Sequence, residues 1–233
     1  MRISQILFSQ GFGSRRTCAG LVQHGLVRVG GRTIEHADES FEPEGLVFEV
    51  QGKSWAFQAR ALLMLHKPTG YECSGKPRHH PSVLTLLPTP LRTRGVQSVG
   101  RLDEDTTGLL LFTDDGALIH RLTSPRHHVP KVYEVDTRHP LDEEQLAHLR
   151  AGVTLDDSPQ PVRALAAVRT AERGLDLTLG EGRYHQVKRM LAAVGNRVDR
   201  LHRRAIGGLE LPADLPVGAW RWLDGDEAQR LAP

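Results

Sequence analysis

The segment that most constrains the fold is an apolar run enclosed by acids. Within GRLDEDTTGLLLFTDDG, residues 100–116, the four residues LLLF (109–112) form an unbroken apolar stretch. Such a run, bounded by turn residues, predicts a buried core strand. Five carboxylates flank the predicted strand: Asp103, Glu104, Asp105, Asp114 and Asp115. Either all five are turn residues and solvated ends, or at least one of them takes part in a reaction.

The five acids do not have equivalent surroundings. Asp-Gly at 115–116 suits a positive φ, so the sequence predicts a tight turn directly after the strand. Asp105 precedes Thr-Thr-Gly, a loop composition in which a short acid caps backbone groups. Asp103 follows Leu102, an apolar side chain that would anchor it at the edge of the loop. Spacing alone leaves Asp103 open between a capping aspartate and a working group.

The rest of the chain predicts an α+β fold with a mixed, largely antiparallel sheet. Strand-like stretches are LLML (62–65), KVYEV (131–135) and LDLTLG (175–180), and helical patterns are DEEQLAHLRAG (142–152) and YHQVKRMLAAVG (184–195). Asp142 or its neighbour caps the first of these helices. We expect three segments: a small domain over residues 1–50, a polar linker over 51–60, and a large domain over 61–233.

The first 35 residues predict a helix, a second helix and a hairpin. Ile3, Ile6 and Leu7 have helical spacing, and Ser14 is a suitable N-cap for RRTCAGLVQH. Gly30-Gly31 joins LVRV to RTI, which is a two-residue hairpin signal. The unit would carry an arginine-rich exterior.

Charge is segregated although the formal net charge is only +2. Residues 1–34 hold five arginines and no acid, residues 35–49 hold six acids and no Lys or Arg, and residues 183–204 carry seven cations against one acid. Separate basic faces indicate a polyanionic partner, whereas any single run is also explained as solvated surface charge.

The predicted helix 184–195 has cations at an unusual end. Val187, Met190, Leu191 and Val194 form its apolar stripe. Lys188 and Arg189 lie near the N-terminus, although the helix dipole favours cations at the other end. Something negative is therefore expected close by, a phosphate, an aspartate or both. The alternative is a lysine whose apolar stem is buried and whose head reaches water.

Several function classes find no support in the sequence. No apolar run approaches the roughly 20 residues that cross a bilayer. The N-terminus lacks a secretory pattern, and the two cysteines, Cys18 and Cys73, form no CxxC motif, so a reduced, cytoplasmic setting is expected. Adjacent histidines at 79–80 and 127–128 point apart on a strand and rarely share a metal. We expect no metal, no cofactor, no membrane contact and a monomer.

Two resemblances extend these observations over nearly the whole chain. SRRTCAGLVQHGLVRVGG, residues 14–31, resembles the S4 RNA-binding module. Four further blocks occur in the order and spacing of pseudouridine synthases of the RsuA family, which act on ribosomal RNA: LLMLHKPTGYECS (62–74), GRLDEDTTGLLLFTDDG (100–116), KVYEV (131–135) and EGRYHQVKRMLAAVGN (181–196). One departure is His66, where the family commonly has Asn, which leaves the hydrogen bonding of that loop open.

The second resemblance implies the site residues. Asp103 matches the catalytic aspartate of the family, Tyr133 the tyrosine that stacks on the target base, and Lys188 the position of the aspartate's cationic partner. Arg101 matches the arginine that fills the gap left by a flipped uridine. RNA contacts are expected from eight cations: Arg2, Arg15, Arg16, Arg28, Arg32, Lys67, Arg183 and Arg189. The last three are also open to structural roles.

The resemblance implies isomerisation of a uridine to pseudouridine in ribosomal RNA, with 16S rRNA of the small subunit as the expected substrate. Attack at C1′, attack at C6 and a glycal route all stay open. One alternative is an RNA-binding ribosome-assembly factor of the same fold without chemistry, and another is a metal-dependent nuclease that uses the acids. The first hypothesis requires the side chains of Asp103, Lys188 and Tyr133 to meet in one pocket.

Overall fold

The computed structural model describes residues 1–158 and 160–231. The chain divides into two compact units. The first comprises Met1–Ala61 and Leu87–Gln97, and the second comprises Leu62–Leu86 and the chain from Ser98 onwards.

The first unit combines helices with a small antiparallel sheet. Its elements are α1 (Ile3–Ser9), α2 (Arg15–Gln23), β1 (Val27–Val29), β2 (Arg32–Thr33), β3 (Val47–Val50), β4 (Lys53–Ala56) and α3 (Thr89–Arg94). The sheet order is β2-β1-β3-β4. Ser14 caps α2 as predicted, because its Oγ accepts a hydrogen bond from Thr17 N at 3.1 Å. Gly30 and Gly31, both at positive φ, form the predicted turn between β1 and β2.

The predicted linker over 51–60 is wrong for residues 53–56, which form β4. Gln51 and Gly52, both at positive φ, make the turn that returns the chain antiparallel to β3. Trp55 then packs against Phe12, with ring centroids 5.3 Å apart. This packing offsets the polar composition that suggested a linker.

The second unit carries a large mixed sheet. Its strands are β5 (Leu62–Lys67), β6 (Gln97–Ser98, of which Ser98 belongs to this unit), β7 (Thr107–Thr113), β8 (Lys131–Thr137), β9 (Ala166–Ala171), β10 (Gly174–Leu179), β11 (Val198–Ile206), β12 (Leu209–Glu210) and β13 (Trp220–Trp222). Its helices are α4 (Gly116–Thr123), α5 (Glu143–Ala151), α6 (Gln186–Ala193) and α7 (Gly225–Gln229). The main strand order is β13-β5-β7-β11-β8-β10-β9, and β7 with β11 is a parallel pair among antiparallel neighbours. The predicted α+β class is confirmed.

The LLLF run is the centre of β7, as predicted. The side chains of residues 109–112 are each 0% exposed, so both faces of the strand are covered. A strand buried on both faces needs no polar alternation, which explains the unbroken run. Each such side chain contributes about 1.5–3 kcal/mol by its burial.

Gly108 lets β7 and β11 meet. It has φ +111° and pairs with Arg203 of β11. A Cβ at this position would lie 2.3 Å from the carbonyl oxygen of Arg203. The parallel pairing of β7 with β11 therefore requires glycine at position 108, where the chain passes from the acidic loop into β7.

Local predictions around the helices had mixed outcomes. Asp142 caps α5 as predicted, accepting from Gln145 N at 2.7 Å. The stripe of α6 is buried at Val187, Met190 and Leu191. The tight turn predicted at 115–116 is wrong. Asp115 instead caps α4 by accepting hydrogen bonds from the first amides of that helix. Within the described residues, no helix has the length and apolarity to cross a membrane.

Candidate active site

A cavity of about 120 Å³ opens in the second unit beside the acidic loop. Its walls come from the loop before β7, the ends of α4 and β10, the start of β8, the turn before α6 with the first turn of that helix, and β11. All four predicted catalytic side chains line it: Arg101, Asp103, Tyr133 and Lys188. The structure thus brings together residues that are scattered over 88 positions of the sequence.

Asp103 is held between two basic side chains. Its carboxylate lies 3.4 Å from Lys188 Nζ and 3.5 Å from His185 Nε2. Leu102 is 6% exposed and anchors the preceding position, as predicted. The Leu102 amide also donates to the Cys73 sulfur at 3.4 Å. The aspartate side chain itself is 29% exposed, so a substrate has access to it.

Lys188 binds a second carboxylate more closely than Asp103. Its Nζ donates to both oxygens of Asp105, at 2.7 and 2.8 Å. Partial burial lowers the pKa of the Lys188 ammonium. The hydrogen bond to Asp105 and the charges of Asp103 and Asp105 outweigh that effect and raise the pKa above its ordinary value. The negative group expected near the N-terminus of α6 is therefore a pair of aspartates.

Asp105 is thus a partner of Lys188, whereas its sequence context predicts a backbone cap. The two residues are 83 positions apart, and a loop acid carries no signal of a partner at that distance. This prediction is wrong for a reason of tertiary structure: α6 packs where its N-terminal lysine meets the loop.

Tyr133 lies in the interior of the sheet. Its strand, β8, is hydrogen-bonded to β11 on one side and β10 on the other, and the side chain is 8% exposed. Tyr133 therefore belongs to an interior strand and not to an edge of the sheet. The ring reaches the same cavity as Asp103.

Lys67 is buried, although the sequence predicts it as an RNA contact. The side chain is 0% exposed, and its Nζ donates to the carbonyl oxygens of Pro68, Asp103, Glu104 and Thr106 at 2.9–3.2 Å. Burial lowers the pKa of this ammonium, against the opposing charges of Cys73 and the loop acids. Lys67 therefore clamps the backbone that presents Asp103 and is not available to a phosphate.

The other predicted RNA contacts lie at the surface. Arg183 lines the cavity and pairs with Glu181 at 3.1 Å. Arg189 forms an ion pair with Asp157, and it also donates to Tyr184 O at 3.1 Å.

The five arginines of residues 1–34 are all exposed in the first unit: Arg2, Arg15, Arg16, Arg28 and Arg32. Arg15 lies over the ring of Phe8, 5.4 Å from its centroid. Arg28 donates to Gly31 O at 2.7 Å, and Arg32 pairs with Glu39. Three of the five are thus oriented by local contacts.

Two histidine questions raised by the sequence have structural answers. His66 Nδ1 lies 2.9 Å from Leu215 O, and its ring contacts His202 edge-on at 5.5 Å between ring centroids.

Among residues 1–158 and 160–231, no three His, Cys, Asp or Glu side chains are grouped as a metal ion would require. The nuclease alternative gains no support from the geometry.

Sequence reasoning missed three basic side chains that line the cavity. His185 stands next to Asp103, stacked on Tyr184 with ring centroids 3.8 Å apart. Lys131 and Arg203 lie on β8 and β11. The alternation of β8 offered one signal, because Lys131 is two residues from Tyr133 and so faces the same side of the sheet.

Comparisons with known proteins agree with this geometry. Residues 61–193 match the RNA pseudouridylate synthase family, and residues 1–43 match the S4 domain. The chain therefore belongs to the RNA pseudouridylate synthase family and carries an S4 domain at its N-terminus. It is an RNA pseudouridine synthase, an isomerase.

Individual relatives cover nearly the full length. The chain is 40% identical over 229 residues to ribosomal small subunit pseudouridine synthase A of Escherichia coli (strain K12), covering 97% of this chain and 98% of that protein. It is 35% identical over 235 residues to the uncharacterised RNA pseudouridine synthase YtzG of Bacillus subtilis, covering 99% and 98%. A crystal structure of a pseudouridylate synthase superposes over the whole of both chains with a TM-score of 0.71 at 32% identity.

Proposed function

We propose that this protein converts one uridine of 16S ribosomal RNA to pseudouridine, and that Asp103 is the acting carboxylate. The observation that carries the proposal is the ion pair of Asp103 with Lys188, 3.4 Å apart, in the cavity that Tyr133 also lines. The choice of small-subunit RNA is supported by the 40% identity to a relative named for that substrate.

The reaction needs a carboxylate beside the ribose. Pseudouridine formation breaks the N1–C1′ bond, rotates the base and joins C5 to C1′, with no change of redox state. A carboxylate acts as nucleophile or as electrostatic partner of the sugar cation. Lys188 orients the Asp103 carboxylate, because its ammonium, carried by α6, contacts both Asp103 and Asp105 of the loop.

The remaining residues prepare the nucleotide. Tyr133 supplies an aromatic surface for stacking of the uracil ring. Arg101 fills the gap that the flipped nucleotide leaves in the RNA, a role supported by its exposure at the cavity. Flipping costs a few kcal/mol and least for an unpaired base, so a single-stranded or loop uridine is the favoured target.

RNA is held elsewhere by sequence-independent contacts. The exposed arginines of residues 1–34 bind sugar and phosphate, which gives affinity without base readout. We assign RNA binding to the domain over 1–50 and the chemistry to the domain over 61–233. One chain acting as a monomer supplies every proposed catalytic side chain.

Tritium release tests the proposal. Purified protein is incubated with a 16S transcript that carries tritium at C5 of uridine, since C5 loses its hydrogen when it joins C1′. The wild type releases tritium, Asp103→Asn releases none while still binding the transcript, and Glu104→Gln, in the same loop, releases it normally.

Either of two results would overturn the proposal. Release by Asp103→Asn at the wild-type rate would remove the carboxylate from the chemistry. Tight binding by the wild type without any release would favour the alternative of a silent ribosome-assembly factor.

A further inference from the structure

The floor of the active-site cavity contains polar groups that the proposed roles do not use. Three buried side-chain polar atoms lack a hydrogen-bond partner in the described chain, and two of them, Thr106 Oγ1 and Arg203 Nη2, belong to residues that line this cavity. Arg203 is 3% exposed. A buried guanidinium nitrogen without a hydrogen-bond partner costs free energy. Arg203 Nη2 is therefore expected to donate a hydrogen bond to a bound ligand.

Lys131 is a second buried cation in the same cavity. It is 9% exposed, and its Nζ makes one hydrogen bond, to Leu122 O at 3.3 Å. An ammonium has three donors, so two are free for a ligand. No carboxylate lies within ion-pair distance of Lys131 or Arg203 in the part of the chain that the structure describes. The two cations therefore lack the partner that buried charges normally have.

Strand register places these groups beside the base-stacking tyrosine. Tyr133 of β8 is paired directly with Arg203 of β11. Lys131 lies two residues before Tyr133 and faces the same side of the sheet. The buried cations and the tyrosine ring thus form one continuous surface of the cavity, on the sheet, whereas Asp103 and Lys188 come from the loop and from α6.

We propose that Lys131 and Arg203 bind the carbonyl oxygens of the target uracil and stabilise the negative charge that the base acquires during the reaction. The ligand class is a pyrimidine with acceptor oxygens at C2 and C4. The inference rests on the proposed function of this cavity, and it adds residues that hold the base to those that act on the sugar.

The electron balance of the reaction requires such a site. When N1–C1′ breaks, its electron pair stays with the base, and the resulting anion is delocalised onto the carbonyl oxygens. If the carboxylate instead adds at C6, the electron pair of the C5–C6 double bond moves to the oxygen at C4. When C5 joins C1′, any bond between the carboxylate and C1′ or C6 breaks and its electron pair returns to the carboxylate; C5 then loses its proton, N1 gains one, and the base is again neutral. In each route a uracil oxygen carries negative charge for a time, and fixed cations in a dry site stabilise it.

The surroundings favour release of the Lys131 proton at alkaline pH. Burial first, and then the charge of Arg203, lower the pKa of Lys131 to about 8. The other charged or titratable side chains of the cavity, besides Tyr133, come from the loop before β7, the turn before α6 and α6 itself: Arg101, Asp103, Glu181, Arg183, His185 and Lys188. None of these six contributes to the shift. Lys131 is therefore charged at neutral pH, and its charge is lost as the pH rises through about 8.

The test uses Lys131→Met, Lys131→Arg and the exposed control Lys76→Met in the full chain. Tritium release gives kcat and KM, filter binding gives the affinity for the 16S transcript, and thermal unfolding gives the melting temperature. Loss of one such charge-stabilising donor is expected to lower kcat by about 10²-fold for Lys131→Met, with unchanged RNA affinity. Lys131→Arg restores activity and removes the fall in rate that the wild type shows above pH about 8.

Stability separates this role from a purely structural one. Burial in the folded protein disfavours the charged form of Lys131. Below pH about 8, where Lys131 is charged, the wild type is therefore less stable than a variant with an uncharged side chain at this position. Lys131→Met is therefore expected to raise the melting temperature while it lowers kcat. A structural lysine would instead lower both.

The outcomes of the two proposals can be distinguished. If the wild type is active, Asp103→Asn is dead and Lys131→Met retains the wild-type kcat, the inference fails and the proposed function stands. A lowered melting temperature with activity lost in proportion to unfolding also overturns the inference. If the wild type releases no tritium, the proposed function fails and the inference fails with it.

Discussion

Replacing Lys67 by methionine tests whether a buried ammonium positions the loop that carries Asp103. Lys67 Nζ donates to four carbonyl oxygens. Two of them accept a second hydrogen bond: Asp103 O from the amide of Thr106, and Glu104 O from the amide of Gly70. Those two keep a donor in the variant, whereas the carbonyls of Pro68 and Thr106 lose the ammonium.

The magnitude follows from these two carbonyls. A buried acceptor that loses its donor costs about 1–3 kcal/mol, so two cost about 2–6 kcal/mol. Relief of the buried charge, whose pKa burial lowers, offsets part of this cost. We expect the free energy of unfolding of the second unit to fall by about 3 kcal/mol, which corresponds to roughly 10²-fold faster amide exchange in β7.

Three measurements check this prediction. Hydrogen exchange of the β7 amides gives the loss of stability, tritium release gives the loss of activity, and filter binding gives RNA affinity. We expect lower stability and activity with unchanged affinity, and no effect of the exposed control Lys76→Met. Weaker RNA binding at unchanged stability would refute the clamp and restore the RNA contact that the sequence suggested.

Three other perturbations have defined outcomes. Lys188→Met should lower kcat by about 10²-fold or more because Asp103 loses the ammonium beside it, whereas Lys188→Arg should retain part of the activity. Equal kcat values for the wild type and both variants, measured by tritium release, would contradict the role of the ion pair. Gly108→Ala should destabilise the second unit in thermal unfolding, because its Cβ would lie 2.3 Å from Arg203 O; an unchanged melting temperature would count against this. Three backbone amides hold the pKa of Glu72 at about 2, so the stabilisation they give is complete above pH about 4.5 and is lost as pH falls towards 2; the protection of the amides of residues 78–80 against exchange should fall over this range, and protection that stays constant from pH about 4.5 to 2 would disagree.

Sequence patterns predicted the elements whose stability is local. The buried β7, the Ser14 and Asp142 caps, the Gly30-Gly31 turn and the stripe of α6 each follow from the side chains of a few neighbouring residues. Patterns failed where a distant partner decides the structure. Residues 53–56 are a strand because Trp55 packs on Phe12, and Asp115 caps a helix that its Asp-Gly dipeptide does not indicate.

The candidate site was predictable to the extent that motifs carry it. Resemblance to the family supplied Asp103, Tyr133 and Lys188, and the fold brings them into one cavity. The pairing of Lys188 with Asp105 and the clamp of Lys67 depend on contacts between segments far apart in the sequence, and no local pattern encodes them. The shared location of the buried cations Lys131 and Arg203 likewise becomes visible only when β8 and β11 are paired.

Mapping pseudouridine in 16S rRNA tests the central claim most directly. The rRNA is taken from cells that lack the gene and that carry either the wild-type or the Asp103→Asn protein, and carbodiimide-primer extension locates each pseudouridine. We expect one stop that appears with the wild type and is absent both with Asp103→Asn and without the protein. A stop that persists with Asp103→Asn, or none with the wild type, would contradict the account.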